Sequence, residues 1–462
     1  MFSRSSLARS APRATAALRQ QALAVPRRRC LATSADAAKY EYETSDAAGI
    51  KFANQNIPGL TGSLTVVAKG GSRYQASEGF SEVLEKFAYK STSKRSQLRI
   101  TRETELLGGE LTASHSRETF VLSAKFLNQD LPYFAELLAE VLQETKYTQH
   151  ELEELVLPQV KFAQAAHVSS PVNLALDAAH TTAFHYGLGN NTVPALSAPW
   201  KKNMSAESIS TFAKNLYIKP SLAIVGSGHN TADLGKWINQ FFPNLGTSAQ
   251  RGPFAPQPHI KAGYFGGDVR VPSTAGNAFT IAFPGSGRLG ALSYNPAFPV
   301  LAELLGGSSN VKWSNGTSMF STVKEDTPGN VNISTANYEY SDAGLFTITL
   351  TGPAPSIRLA GRPIVETIQS VIEKGATQDS IKKAIANAKY RLVESYDAKA
   401  IGHDLLYKGE ITPLTKLLDA LDNVTEEHIK GAAQRLMNER ATVAAVGDLD
   451  QLPYGAEIGL NA

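Results

Sequence analysis

Glu82, Glu85 and Lys86 lie close together in the segment 79–92 (GFSEVLEKFAYKST), whose apolar residues recur at helical spacing between Phe80 and Tyr89. A glutamate in such a helix does hydrolytic chemistry when a metal-bound water lies beside it, and the metal then needs neutral imidazoles or carboxylates as ligands. The segment has no histidine. Lys86 cannot substitute for one, because a protonated ammonium has no lone pair and repels a dication. Glu82 and Lys86 are spaced i, i+4 in the favourable order, which predicts an ion pair worth roughly 0.2–0.5 kcal/mol at an exposed position. Glu85, with neither a metal nor a nucleophile beside it, has no water to activate and reads as structural.

Chemistry elsewhere in the chain is equally sparse. Among nine histidines the best-placed pair is His180 and His185, and a spacing of five does not put two side chains on one helical face. They read as capping, core or solvated residues. Cys30 is the only cysteine and lies in the N-terminal segment, so disulfides, thiolate catalysis and cysteine-ligated metals are excluded from the body of the chain. The glycine-rich stretch 306–318 (GGSSNVKWSNGTS) lacks the Gly-Lys-Ser/Thr ending of a phosphate loop and reads as a mobile surface loop. Gly108-Gly109 and Gly306-Gly307 fall at the ends of helical segments, where left-handed caps are common.

The elements around these residues occur twice. A strand at 64–69 leads into Gly70-Gly71-Ser72-Arg73 and then the helix 80–89; a strand at 279–283 leads into Gly285-Ser286-Gly287-Arg288 and then a helix at 298–305. The alternating strand 119–125, half-buried in pattern, answers 345–351. Thr148 and Thr377 are matching N-caps of helices that reach Phe162 and Tyr390. SLAIVG at 221–226 and TVAAVG at 442–447 close the two halves as apolar strands. Four landmarks in one order predict an internally duplicated α+β chain: a mostly antiparallel sheet in each half, with helices packed on one face. The halves are expected at 40–246 and 264–460, joined by a Pro/Gly-rich linker at 247–263.

The 42% hydrophobic and 19% charged composition is that of an ordinary globular chain, and no apolar run approaches the length of a membrane-spanning helix. The net charge of +3 is concentrated at one end, where residues 1–34 carry seven arginines and no acid, leaving 38 basic against 42 acidic residues. A mildly acidic body without a basic stripe gives no electrostatic reason for nucleic-acid binding. The acid-free leader, rich in Arg, Ala and Ser, has the composition of a mitochondrial targeting presequence, expected at 1–31 with maturation near Ala32.

The segment 79–92 resembles the zinc-site helix of pitrilysin-type metallopeptidases, among them the mitochondrial processing peptidase. The family pattern is Gly, two residues, His-x-x-Glu-His, three residues, Lys-Gly-Thr. The resemblance puts the first His at Glu82, the Glu at Glu85, the second His at Lys86 and the closing triplet at Lys90-Ser91-Thr92. Both imidazoles are replaced. The family's third ligand, a glutamate, falls on or near Phe162, with Gln159 the nearest polar residue upstream. The strand YSDAGLF at 340–346 also matches, but the family's peptide-binding Arg and Tyr fall near Asp326 or Thr327 and near Val331.

The resemblance runs from Leu64 to Val443 and is most specific at 70–75 (GGSRYQ), 98–111 (LRITRETELLGGEL) and 304–314 (LLGGSSNVKWS). It implies two homologous α/β sandwich domains with no catalytic, metal-binding or cofactor-binding residues. Within the family the chain is similar to the core protein 2 branch of mitochondrial ubiquinol-cytochrome c reductase (complex III). That branch implies a structural and assembly role, peripheral on the matrix side of the inner membrane. The implied partners are core protein 1, cytochrome b, cytochrome c1 and the Rieske subunit within dimeric complex III. The alternative within the family is the non-catalytic, substrate-recognising subunit of the processing peptidase.

Overall fold

The computed structural model describes residues 41–195, 200–250, 252–307, 316 and 318–461, with the side chain of residue 202 excepted. The expected presequence 1–31, its maturation site and most of the loop 306–318 lie outside the described residues. Runs rich in Val, Ile, Leu, Phe and Thr form two sheets. The first is built from β1 (Glu43–Ala47), β2 (Ile50–Gln55), β3 (Thr61–Lys69), β4 (Glu110–His115), β5 (Thr119–Leu127) and β6 (Leu222–Ser227), in the order β1-β2-β6-β3-β5-β4. The second is built from β7 (Gly267–Pro272), β8 (Ala278–Pro284), β9 (Asn332–Glu339), β10 (Gly344–Thr351) and β11 (Thr442–Gly447), in the order β7-β11-β8-β10-β9. Without β1 the two orders are the same. Each sheet has a single parallel pair, β2 with β6 and β7 with β11, and is otherwise antiparallel. The duplication is therefore one of topology as well as of sequence.

The helices of the first half are α1 (Phe80–Phe87), α2 (Gln97–Leu106), α3 (Leu131–Glu144), α4 (Leu157–Val168), α5 (Pro171–Phe184), α6 (Ala206–Leu216) and α7 (Thr231–Phe241). Those of the second are α8 (Ala297–Leu305), α9 (Met319–Asp326), α10 (Ala354–Lys374), α11 (Gln378–Ser395), α12 (Ala398–Tyr407), α13 (Leu414–Asp422) and α14 (Glu426–Asn438). Most helices of each half cover one face of their own sheet. On the first sheet, Phe80, Val83, Leu84 and Phe87 of α1 join Leu64, Val66 and Leu122 in one apolar core. Full burial of each large side chain contributes roughly 1.5–3 kcal/mol. The second core has the same make-up, with Phe298, Leu301 and Leu305 of α8 against Phe279, Ile281 and Phe346.

Helices are not confined to one face, contrary to the sequence-based expectation. α5, started by Pro171 and capped by the Ser170 side chain, packs on the second sheet, where Ala179, Ala183 and Phe184 meet Ala282, Leu345 and Ala444. α12, capped by Asp397, packs on the first sheet, where Ile401 and Leu405 meet Ala53, Ala223 and Val225. Each half thus supplies the outer layer of the other's sheet. This exchange explains why β10 is buried at seven of its eight positions rather than alternating, since both of its faces are covered. Gly402 allows α12 to approach closely: a Cβ there would lie 2.3 Å from Val67 Cγ2.

Two local expectations also change. The helix expected to reach Tyr89 stops at Phe87, because Ala88 turns to an extended ψ and Tyr89 takes φ +60°. Gly108 has positive φ after α2, as a left-handed cap requires, whereas Gly306 has φ +57° with ψ −127°, outside the left-handed helical region.

Candidate functional site

Gly79, at φ +87°, starts α1 in a conformation that glycine adopts without strain, and the helix then turns Glu82 inward, where its side chain is 4% exposed. Lys86, one turn on, places Nζ 3.2 Å from Glu82 Oε1 and 2.6 Å from Glu85 Oε1. A fourth group comes from outside the helix. His115, the last residue of β4, has Nδ1 2.6 Å from Glu85 Oε2 and 3.9 Å from Glu82 Oε2, and its backbone N–H donates to Glu85 Oε2 at 3.1 Å. Its Nε2 lies 3.1 Å from the Thr192 carbonyl oxygen.

Two carboxylates and an imidazole, with ligand atoms within 4.8 Å of one another, form a donor set that zinc accepts. The charges present make it a poor metal site. Both ring nitrogens of His115 face acceptors, an arrangement that suits the imidazolium, which donates from both. Burial works against that charge, but the hydrogen bond and charge of Glu85, and then the charge of Glu82, outweigh it and hold the His115 pKa above its usual value. Burial likewise opposes ionisation of Glu85 and Lys86. Pairing wins there too, with Glu85 held below the usual carboxylate range and Lys86 above the usual ammonium range. The Lys86 ammonium and, when it is protonated, the His115 imidazolium thus face the two carboxylates where a zinc ion would otherwise bring its charge.

The Glu82–Lys86 pair expected from the spacing is present, with Glu82 buried and Lys86 a quarter exposed, and Glu85 is partnered rather than alone. His115 was not anticipated. The available signal was the strand 110–115 ending beside the helix, and only the pairing of β4 with β5 fixes that position. Phe162, at the family's third ligand position, lies on α4, which packs against α1, and its ring is 77% exposed. Gln159 is exposed as well. Val331 is a core residue, and the Thr327 hydroxyl donates to the Val323 carbonyl, so neither position holds a peptide-binding group. His180 and His185 do not converge. His180 is buried, with Nδ1 2.7 Å from the Leu176 carbonyl oxygen and Nε2 2.8 Å from the Tyr340 hydroxyl, and burial pushes its pKa down to about 3. His185 stacks on Phe265 with ring centroids 4.2 Å apart.

A larger polar cluster joins the two halves. Arg73, from the GGSRYQ segment, is 1% exposed at its side chain; Nη1 donates to Glu118 Oε1 at 2.7 Å and to Asp342 Oδ1 at 2.8 Å. Its Nη2 donates to Asp342 Oδ2 and to the Ile260 carbonyl oxygen, each at 2.6 Å. Glu118, in the β4–β5 turn, also accepts from the Ser341 N–H at 2.9 Å, the Ser341 hydroxyl at 2.6 Å and His403 Nε2 at 3.0 Å. Asp342 accepts from the Ala262 N–H at 2.9 Å. One guanidinium thus ties a loop of the first half, the backbone at Ile260 and the YSDAGLF turn of the second. Sequence reasoning singled out both segments by resemblance but could not pair residues 269 positions apart.

The sequence matches the family profile described as Insulinase (Peptidase family M16) over residues 51–195 and the Peptidase M16 inactive domain over residues 203–388. It is 41% identical to the mitochondrial cytochrome b-c1 complex subunit 2 of Neurospora crassa, with the whole of both chains covered. It is 34% identical to the Yarrowia lipolytica subunit 2, covering 90% of this chain and 96% of that one. A more distant relative, at 29% identity over 89% of this chain and 82% of its own, is the alpha subunit of the mitochondrial processing peptidase of Solanum tuberosum. The order of strands, the cluster of two glutamates and a lysine on the metallopeptidase-like helix with a histidine from β4, and the full-length relationship agree: this chain belongs to peptidase family M16, in the branch that holds the mitochondrial cytochrome b-c1 complex subunit 2 sequences.

Proposed function

We propose that this chain is a non-catalytic core subunit of mitochondrial ubiquinol-cytochrome c reductase, acting in assembly and support of the complex rather than in its electron transfer. The observation that carries the non-catalytic part is the closed charge cluster on α1. Lys86 and His115 neutralise Glu82 and Glu85, so the surviving glutamate has no metal-bound water to deprotonate. The full-length relationship to subunit 2 sequences supports the assignment to complex III over the processing peptidase.

On this reading the leader 1–31 is a presequence cut near Ala32, and residues 40–246 and 264–460 are two homologous domains joined by the linker 247–263. The mature protein sits on the matrix side of the inner membrane, peripherally. Among the described residues no helix is long and apolar enough to cross a membrane, so attachment runs through partners. Those partners are core protein 1, with which it forms a heterodimer, and through that pair cytochrome b, cytochrome c1 and the Rieske subunit. It holds no cofactor.

Depletion of core protein 1 tests this reading. An obligate partner's loss leaves apolar interface exposed, and the orphan subunit aggregates or is degraded. The level of this chain and of assembled cytochrome b fall together while presequence processing continues. Failure of processing with complex III still assembled identifies the chain as the substrate-recognising processing-peptidase subunit instead.

A further inference from the structure

Each sheet turns small apolar residues away from its own helices. Side chains alternate across a strand, so while Phe279, Ile281, Val443 and Ala445 point into the second core, Ala278, Ala282, Ala444 and Val446 point the other way. On the first sheet Leu222 and Ile224 face the core, and Ala223 and Val225 face away from it. All of these outward-turned residues are buried, and in both sheets the cover comes from the other half. Ala175, Ala179 and Ala183 recur every four residues on α5, which makes them one stripe, and that stripe meets Ala278, Ala282, Ala444 and Val446. On the first sheet, α12 brings Ile401 and Leu405 to Ala223 and Val225, and Gly402 leaves room for Val67. Both contacts rest on small side chains that let helix and sheet approach closely.

Polar bonds cross the same boundary. The Tyr407 hydroxyl donates to the Glu118 carbonyl at 3.1 Å and lies 2.8 Å from the Tyr74 hydroxyl, and His180 Nε2 lies 2.8 Å from the Tyr340 hydroxyl. They add to the ties of Arg73 and Glu118 to Asp342, Ser341 and His403. The covalent connection between the halves is, by contrast, exposed from Gly246 to Gln250. Past that stretch the chain already binds the first half: Phe254 stacks on Phe80 with ring centroids 5.9 Å apart, and the Gln257 N–H donates to the Tyr74 carbonyl at 2.8 Å. In an ordinary two-domain chain each domain closes its own core and meets its neighbour through a smaller, more polar surface. Here, removing either half uncovers an apolar sheet face on the other.

We propose that neither half is a folded unit by itself, and that the exchange of α5 and α12, not the linker, holds the two together. Each half is the obligate partner of the other. A chain cut in the linker therefore remains a non-covalent pair and unfolds in one step. During synthesis from the N-terminus, the first sheet stays uncovered until residues 398–407 are available, so the first half cannot complete its fold ahead of the second.

The test is to fold the full chain with a site-specific protease sequence inserted after Ser248, in the exposed stretch, and then to cut it. The cut protein is expected to elute from a size-exclusion column with the uncut protein at about 1 µM, as obligate pairs do. Urea should unfold it in a single transition, coincident by fluorescence and circular dichroism. Its midpoint should rise with protein concentration, because unfolding now releases two molecules, whereas the uncut midpoint stays fixed. Gly402→Ala should raise the concentration at which the cut protein is half dissociated about tenfold. Arg358→Met, whose partner Glu457 lies in the same half, should leave it unchanged. Halves that elute separately, two distinct transitions, or a cut protein whose midpoint ignores concentration overturn the proposal. A fragment 249–462 that unfolds cooperatively by itself overturns it too, and an unchanged Gly402→Ala overturns the part given to α12. Should Gly402→Ala not fold, hydrogen exchange of the cut parent decides. Amides of β6 and β11 that lose protection together on dilution support the exchange, and β6 protection that persists at every dilution refutes it.

Discussion

Arg73→Met is expected to destabilise the protein by about 3–5 kcal/mol at pH 7, the usual cost of removing one partner from a buried charge cluster. The substitution keeps most of the aliphatic volume but leaves Glu118, whose side chain is 4% exposed, and Asp342, at 16%, facing each other across the seam without their common cation. The pH dependence separates this cause from simple loss of packing. In the parent, burial works to raise the pKa of Glu118, but the hydrogen bonds from His403 and Ser341 and the charge of Arg73 outweigh it. Asp342 is held below its usual range in the same way, with burial overcome by Arg73 and the Ala262 N–H. A lowered folded-state pKa contributes stability above the unfolded carboxylate pKa that is lost as pH falls through the folded value. Without Arg73 that contribution shrinks and burial drives both carboxylates upward. The variant then gains stability as they protonate while the pH falls from 7 toward about 4. Urea unfolding at pH 7 and pH 5 should therefore show a parent–variant gap that narrows on acidification. Adding Glu118→Gln and Asp342→Asn to Arg73→Met should recover at least half of the loss at pH 7. A loss below about 1 kcal/mol, or a gap that widens at pH 5, refutes the account of the seam as an ionic lock.

Three further outcomes follow from the geometry. The His115 ring should titrate above the usual histidine range by NMR, and Glu85→Gln should lower that value. Because the folded pKa is raised, the stability from this pairing is complete below the unfolded histidine pKa and disappears as pH rises through the folded one. The purified chain should carry no stoichiometric zinc and cleave no presequence peptide. Glu82→His with Lys86→His should not restore cleavage, since Phe162 leaves the third ligand position empty; metal analysis and a peptide assay check both. Gly402→Ala should destabilise by about 1–3 kcal/mol, read from the urea midpoint, because the added methyl meets Val67 at the exchanged helix–sheet contact.

Much of the fold could be read from the chain because its signals are local. The strands near Leu64, Thr119, Phe279 and Leu345, the N-caps Thr148 and Thr377, and the closing strands expected at 221–226 and 442–447 all depend on short-range pattern, and all are present, the first closing strand one residue later at Leu222–Ser227. The exchange of α5 and α12 could not be read, because an apolar stripe states that a helix face is buried and not which sheet buries it. The same limit applied to the site. The helix 79–92 announced its lost imidazoles directly, yet His115 reaches Glu85 only through the register of β4 on β5, and Arg73 reaches Asp342 across 269 residues. The spacing of Glu82 and Lys86 predicted a pair, but the burial of Glu82, a tertiary property, made it part of a partly buried charge cluster rather than a surface contact.

Native gel electrophoresis of mitochondria, followed by immunodetection of this chain, tests the central claim most directly. The account predicts that the chain migrates with cytochrome b in assembled complex III and is absent from the processing-peptidase band. Migration with the catalytic processing-peptidase subunit, with none of the chain at the position of cytochrome b, would contradict it.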